Sequence, residues 1–108
     1  MHNFTSIKDA YNIQNLINEA LLMKKTPHSD KHLGKNRTLG LLFFNSSLRT
    51  RLSTQKAAQN LGMEVMIMNV GADSWQLEMN EGVIMNGDKA EHISEAAAVV
   101  GQYCDIVG

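Results

Sequence analysis

A chain of 108 residues, 44% of them hydrophobic, has room for one core and reads as one domain or part of one. Its net charge of −1 gives no field to draw in nucleic acid or an acidic membrane surface. The single cysteine, Cys104, excludes an intrachain disulfide and suits a reducing compartment. No apolar run approaches the roughly 20 residues of a membrane span. Met1–Ser6 lacks the basic start and apolar block of a signal peptide. The expectation is a soluble, cytoplasmic protein.

Residues 12–25 carry Ile13, Leu16, Ile17, Ala20 and Leu21 at helical spacing, which predicts a packing helix. Asn12 suits its N-cap, and Lys24 and Lys25 suit the negative end of its dipole. Residues 26–37, with Pro27 and Gly34, read as a surface connection. His28 and His32 stand four apart there, but with no helical pattern and no third ligand a metal site is disfavoured. Thr38 to Phe44 reads as a strand buried on both faces, with Gly40 permitting a close backbone approach. A helical pattern then runs from Thr50 to Leu61, with Thr50, Thr54, Ala57, Ala58 and Leu61 on one face and Gly62 as its C′ residue. Glu64 to Val70 is a second strand. Strand, helix and strand together form a βαβ unit, which predicts a parallel pair with a right-handed crossover.

Gly71 to Lys89 shows no period, and a stretch of that kind is often functional. It holds Trp75, the one tryptophan, whose plainest role is a packing anchor. A third helix is expected from Lys89 or Ala90 to Tyr103, with Asp88 and Glu91 as a capping box and a buried stripe of Ile93, Ala96, Ala97 and Val100. Cys104 follows it as a small buried thiol rather than a nucleophile. Asp105–Gly108 begins another short apolar strand. The fold class is therefore α/β, a parallel sheet flanked by helices.

The chemistry concentrates between the first strand and the second helix. Ser46, Ser47 and Thr50 offer hydroxyls, Arg49 and Arg51 offer forked cations, and a helix start offers free N–H groups. Two arginines at a helix N-terminus oppose the dipole by up to about 1 kcal/mol each unless an anion compensates. Charge-assisted bonds to a phosphoryl group, about 1.5–3 kcal/mol each, would do so. The turn also ends a parallel strand, where open α/β sheets place ligands. The bland alternative is a serine-capped helix with two solvated arginines. The stretch lacks the glycines and Gly-Lys-Ser/Thr end of a Walker loop and the Gly-x-Gly-x-x-Gly of a dinucleotide site. Single-strand nucleic-acid binding through Arg37, Arg49 and Arg51 lacks a basic excess and interleaved aromatics.

Ser47-Leu48-Arg49-Thr50-Arg51 resembles the Ser-Thr-Arg-Thr-Arg motif of the aspartate and ornithine carbamoyltransferases. The longer stretches 43–58 and 82–89 are similar to the N-succinylornithine branch, with the N-acetylornithine enzymes as near relatives. The resemblance extends over essentially the whole chain. It implies a carbamoyl-phosphate-binding domain in which Ser47, the Leu48 backbone, Arg49 and Thr50 hold the phosphate, Arg49 being the main charge partner and the catalytic residue. Leu48 replaces a threonine, so one hydroxyl is lost while its N–H remains. Arg51 would brace the turn. Trp75 matches a tryptophan that, in this branch, reaches the neighbouring subunit's carbamoyl-phosphate site in a homotrimer. Lys89 aligns with a loop lysine of the aspartate enzymes, without a direct role expected here. Ala90 stands where the succinyl branch has proline and the acetyl branch glutamate. A carboxylate there would repel a succinyl carboxylate by roughly 4 kcal/mol at about 4 Å and an effective dielectric near 20. Alanine removes that repulsion.

The implied partners are carbamoyl phosphate and an N2-acylated ornithine, with no nucleic acid, no membrane and no metal or organic cofactor. The family's next phosphate arginine, its His-Pro segment and its second, amino-acid-binding domain do not occur in residues 1–108, so the expectation is an incomplete domain. A non-catalytic phosphate-binding module is the alternative from a different class.

Overall fold

The computed structural model describes residues 3–71, 75–82 and 91–108, with the backbone alone for Glu91. In chain order the elements are a 3₁₀ turn at Ile7–Asp9, helix α1 (Ile13–Lys25), strand β1 (Thr38–Phe43), helix α2 (Leu48–Asn60), strand β2 (Glu64–Asn69), strand β3 (Leu77–Glu78), strand β4 (Glu91–His92), helix α3 (Ile93–Tyr103) and strand β5 (Ile106–Val107).

The sheet is parallel throughout, in the order β2-β1-β5. β1 runs against β2 from Thr38↔Glu64 to Phe43↔Asn69, and against β5 at Leu39↔Ile106 and Gly40↔Val107. Alternation along β1 sends its side chains to two faces. Leu39, Leu41 and Phe43 pack with Ala58 of α2, Met63 and Val65. Leu42 packs on the other side with Val70, Leu77, Trp75, Ile93 and Ala96 of α3. The two helices thus cover opposite faces of one sheet, giving three layers. Gly40 faces α3, where a β-carbon would stand 2.6 Å from Cys104 Sγ. The absence of a side chain is what lets the helix end approach β1 there.

The edge of the sheet where the strands begin is closed by the chain itself. α2 ends in a Schellman turn, with Met63 N–H donating to Ala58 C=O (3.0 Å) and Gly62 N–H to Gln59 C=O (3.0 Å). Gly62 takes φ +82°, the left-handed conformation this turn requires. Gly34 N–H donates to Leu61 C=O at 2.9 Å, and Glu64 N–H to Arg37 C=O at 2.9 Å. The Asp105 carboxylate receives Thr38 N–H (2.9 Å) and Arg37 Nη1 (2.7 Å), tying β5 to β1. The Thr38 amide first, and then Arg37, hold this carboxyl below the usual carboxylate range.

Several expectations change. The apolar stripe of α1 is not packed: none of its residues is buried, and Leu21 is 55% exposed. The radius of gyration is 16.5 Å, against roughly 13 Å for a compact domain of this size. α2 begins two residues earlier than its pattern suggested, at Leu48, and ends at Asn60. On its expected inner face only Ala58 is buried; Thr54 and Leu61 are half-buried, and Thr50 and Ala57 are exposed. Phe44 lies outside β1 and is exposed. The stretch after Gly71 holds a strand, β3, which pairs in parallel with β4 at Leu77↔Glu91 and Glu78↔His92. That pairing takes Glu91 and His92 out of the helix, so α3 starts at Ile93 with His92 as its N-cap, and Asp88 lies outside the described residues. Ala96 and Val100 are buried there and Ile93 half-buried, while Ala97 is exposed. Cys104 is half-buried.

Candidate functional site

At the opposite edge of the sheet, β1 ends at Phe43 and a short turn leads into α2. Ser47 is the N-cap, with φ −143° and ψ 85°, yet its side chain makes no capping bond. The first helical bond is Arg51 N–H to Ser47 C=O, at 3.0 Å. The amides of Leu48, Arg49 and Thr50 therefore precede the helical ladder, and no described residue accepts from them. The hydroxyls of Ser46, Ser47 and Thr50 and the Arg49 guanidinium likewise have no protein partner among the described residues. Ser47 is half-buried; Ser46, Leu48, Arg49 and Thr50 are exposed. Five consecutive residues thus present amide, hydroxyl and guanidinium donors, one of them a permanent cation, on the positive end of a helix dipole. Such a set is suited to receiving an oxyanion.

Arg51 behaves differently. Its Nη2 donates to Asn69 Oδ1 at 2.8 Å, and its guanidinium lies 4.1 Å from the centroid of the Phe43 ring. It fastens the start of α2 to the ends of β1 and β2, which is the bracing role expected of it.

Trp75 stands on the same edge. Its N–H donates to Asn69 C=O at 3.4 Å, its own carbonyl accepts from Gly71 N–H at 3.0 Å, and it bridges Val70 in parallel. Its side chain is half-buried against the cluster of Val70, Leu77 and Ala96. Asn69 is the junction the sequence reading passed over: its side chain receives Arg51 and its carbonyl receives Trp75. Its place as a polar residue near the end of the predicted strand Glu64 to Val70 was the available signal. Lys89 and Ala90 lie outside the described residues. Among the described residues, no three His, Cys, Asp or Glu side chains are grouped to hold a metal ion. No helix among them is long and apolar enough to cross a membrane.

Residues 2–108 match the family described as aspartate/ornithine carbamoyltransferase, carbamoyl-P binding domain. The chain belongs to this family. It is 51% identical over 108 residues to an N-succinylornithine carbamoyltransferase of Bacteroides thetaiotaomicron, covering all of this chain and 34% of that protein. It is 40% identical over 93 residues to an N-acetylornithine carbamoyltransferase of Xanthomonas campestris pv. campestris, covering 86% of this chain and 27% of that protein. The chain thus spans about a third or less of the length of these curated relatives. Among solved structures, a glutamate-to-alanine variant of an N-acetyl-L-ornithine transcarbamylase, complexed with carbamyl phosphate and N-succinyl-L-norvaline, superposes with a TM-score of 0.79 at 37% identity. That match covers 92% of this chain and 30% of the other.

Proposed function

We propose that this chain is the carbamoyl-phosphate-binding part of an enzyme that carbamoylates the δ-amino group of N2-succinylornithine in arginine biosynthesis. The observation that carries the reading is the open start of α2, where three amides and the Arg49 guanidinium stand together with no partner among the described residues. Ser47, Leu48 through its N–H, Arg49 and Thr50 hold the phosphate. The amine attacks the carbamoyl carbon, the bond from that carbon to the phosphate oxygen breaks, a proton from the amine passes to the departing phosphate, and the donors stabilise the charge left on it. This chemistry is positioning plus electrostatics, and it asks for neither metal nor organic cofactor. A second, amino-acid-binding domain completes the active site, in the cytoplasm.

The succinyl assignment is supported by the 51% identity to a succinylornithine enzyme over the whole chain, against 40% over a shorter span for the acetyl relative. Ala90 adds to it, standing where the family resemblance puts the acetyl branch's glutamate. The solved glutamate-to-alanine variant that carries N-succinyl-L-norvaline is in keeping with that. Trp75 serves the carbamoyl-phosphate site of the adjacent subunit in a homotrimer.

Two measurements on the full-length protein test the reading. Arg49→Ala should weaken carbamoyl-phosphate binding about 10- to 100-fold, the loss of one charge-assisted bond. Unchanged affinity by titration calorimetry rejects the phosphate assignment. Turnover of succinylornithine, acetylornithine and ornithine side by side decides the acyl group, and a preference for either of the other two replaces the succinyl reading. For the trimer, mixing inactive Arg49→Ala and Trp75→Ala subunits should restore activity if each site draws on two chains.

A further inference from the structure

His92 has no part in the proposed chemistry, yet its ring hydrogen-bonds both to the start of α3 and to the segment that carries Trp75. Its Nδ1 lies 3.2 Å from Ser94 N and 2.7 Å from Ser94 Oγ, while its Nε2 lies 2.9 Å from the Asn80 carbonyl oxygen. A carbonyl only accepts, so Nε2 carries a proton. A backbone N–H only donates, so Nδ1 is bare, and the Ser94 hydroxyl can donate to it as well. One neutral tautomer satisfies all of these contacts, and the other satisfies neither backbone contact. The same ring therefore caps a helix with one nitrogen and holds a strand end with the other.

The strand it holds is the one that follows Trp75. Residues 75–80 are tied at their start to the end of β2, through Trp75 N–H to Asn69 and Gly71 N–H to Trp75. Along their length they pair with β4 at only two positions, Leu77↔Glu91 and Glu78↔His92. At their far end Asn80 N–H donates to Glu78 Oε1 at 3.0 Å, and Asn80 C=O accepts from His92. A two-residue ladder is too short to fix a strand unaided, so a bond at its open end has leverage on the whole segment.

We propose that His92 is a positioning residue, which as the Nε2–H tautomer fastens the Trp75–Asn80 segment to the start of α3 and so sets where Trp75 stands. The consequence for catalysis rests on the reading of Trp75 as a site residue; the clamp itself does not.

The two halves of the imidazole can be kept one at a time. Asparagine places an acceptor near Nδ1 and can still cap, but it does not reach Asn80. Glutamine places a donor near Nε2 and can still hold Asn80, but it caps poorly. In amide hydrogen exchange on the 108-residue chain, His92→Asn should speed exchange at Trp75 and Asn80 about fivefold, as one lost neutral hydrogen bond predicts, and leave Ser94 protected. His92→Gln should do the reverse. Equal responses of the two variants, or unchanged Trp75 and Asn80 in the asparagine variant, overturn the proposal. Nitrogen NMR of the unsubstituted chain gives a reading that no folding defect can obscure: a protonated Nδ1 with a bare Nε2 overturns it outright. In the full-length transferase, His92→Asn should raise KM about fivefold at nearly constant kcat, since it disturbs placement rather than chemistry. The exchange pattern without the KM change keeps the clamp and refutes the role given to Trp75.

Discussion

The two edges of the parallel sheet are built on opposite terms. Where the strands begin, the chain closes its polar groups on itself: the Schellman turn at Gly62, the Gly34 and Glu64 amides, and the fork of Asp105 on Thr38 and Arg37. Where the strands end, the Leu48, Arg49 and Thr50 amides, three nearby hydroxyls and one guanidinium are left without a described partner, while Arg51 ties the turn to Asn69. The same helix supplies both ends, so composition does not explain the contrast. One edge is closed on itself and holds the fold; the other is left open, as the proposed ligand site requires.

Several substitutions would break or sharpen that contrast. The largest effect belongs to Arg49→Ala, with the binding loss stated above and little change in stability. At the closed edge, a β-carbon at Gly62 would collide with the Lys31 carbonyl oxygen, in a conformation that side chains resist. Gly62→Ala should therefore cost about 1–3 kcal/mol in urea unfolding, with no direct effect on the ligand. A comparable stability loss from Arg49→Ala would erase the distinction between the edges.

Next in size is a pair of caps. Asn12 Oδ1 accepts from Asn15 N–H at 3.0 Å, so Asn12→Ala should cost about 1 kcal/mol. Ser47 makes no such bond, so Ser47→Ala should cost less than about 0.5 kcal/mol while weakening phosphate binding. Equal costs would mean that Ser47 caps after all.

The smallest effect is an acid-side one. Because the Asp105 carboxyl titrates lower when folded than when unfolded, its contribution is present above the unfolded value, near about pH 4, and is lost as pH falls through the folded one. Asp105→Asn should flatten that part of the urea midpoint against pH. Asp9, held low by the Thr5 and then the Ser6 amide, adds a loss of the same sign. Asp9→Asn is therefore the control that separates the two.

Local signals were legible in the sequence. Asn12 placed the start of α1, and Gly62 with the apolar runs of β1 and β2 placed the βαβ unit to within a residue or two, because caps and alternation act over a few positions. The turn from Ser46 to Arg51 was legible for the same reason: its chemistry is contiguous. What escaped depends on partners distant in sequence. His92 stops being helical because β4 pairs with β3, which no window around His92 reveals. The Arg51–Asn69 bond and the Asp105 fork join residues far apart in the chain, and each is set by the sheet register. The α1 stripe was read as buried because periodicity tells which face is apolar, and says nothing of what lies against it.

Gly40 and Cys104 carry one more consequence. A methyl at position 40 would collide with the sulfur at 2.6 Å but would meet the cysteine β-carbon at 3.3 Å, a separation that small shifts can relieve. Positions 40 and 104 are therefore bound to drift as a couple. Shortening the thiol first opens a route that enlarging the glycine first leaves shut, so the order of two neutral-looking replacements decides whether a descendant sequence survives.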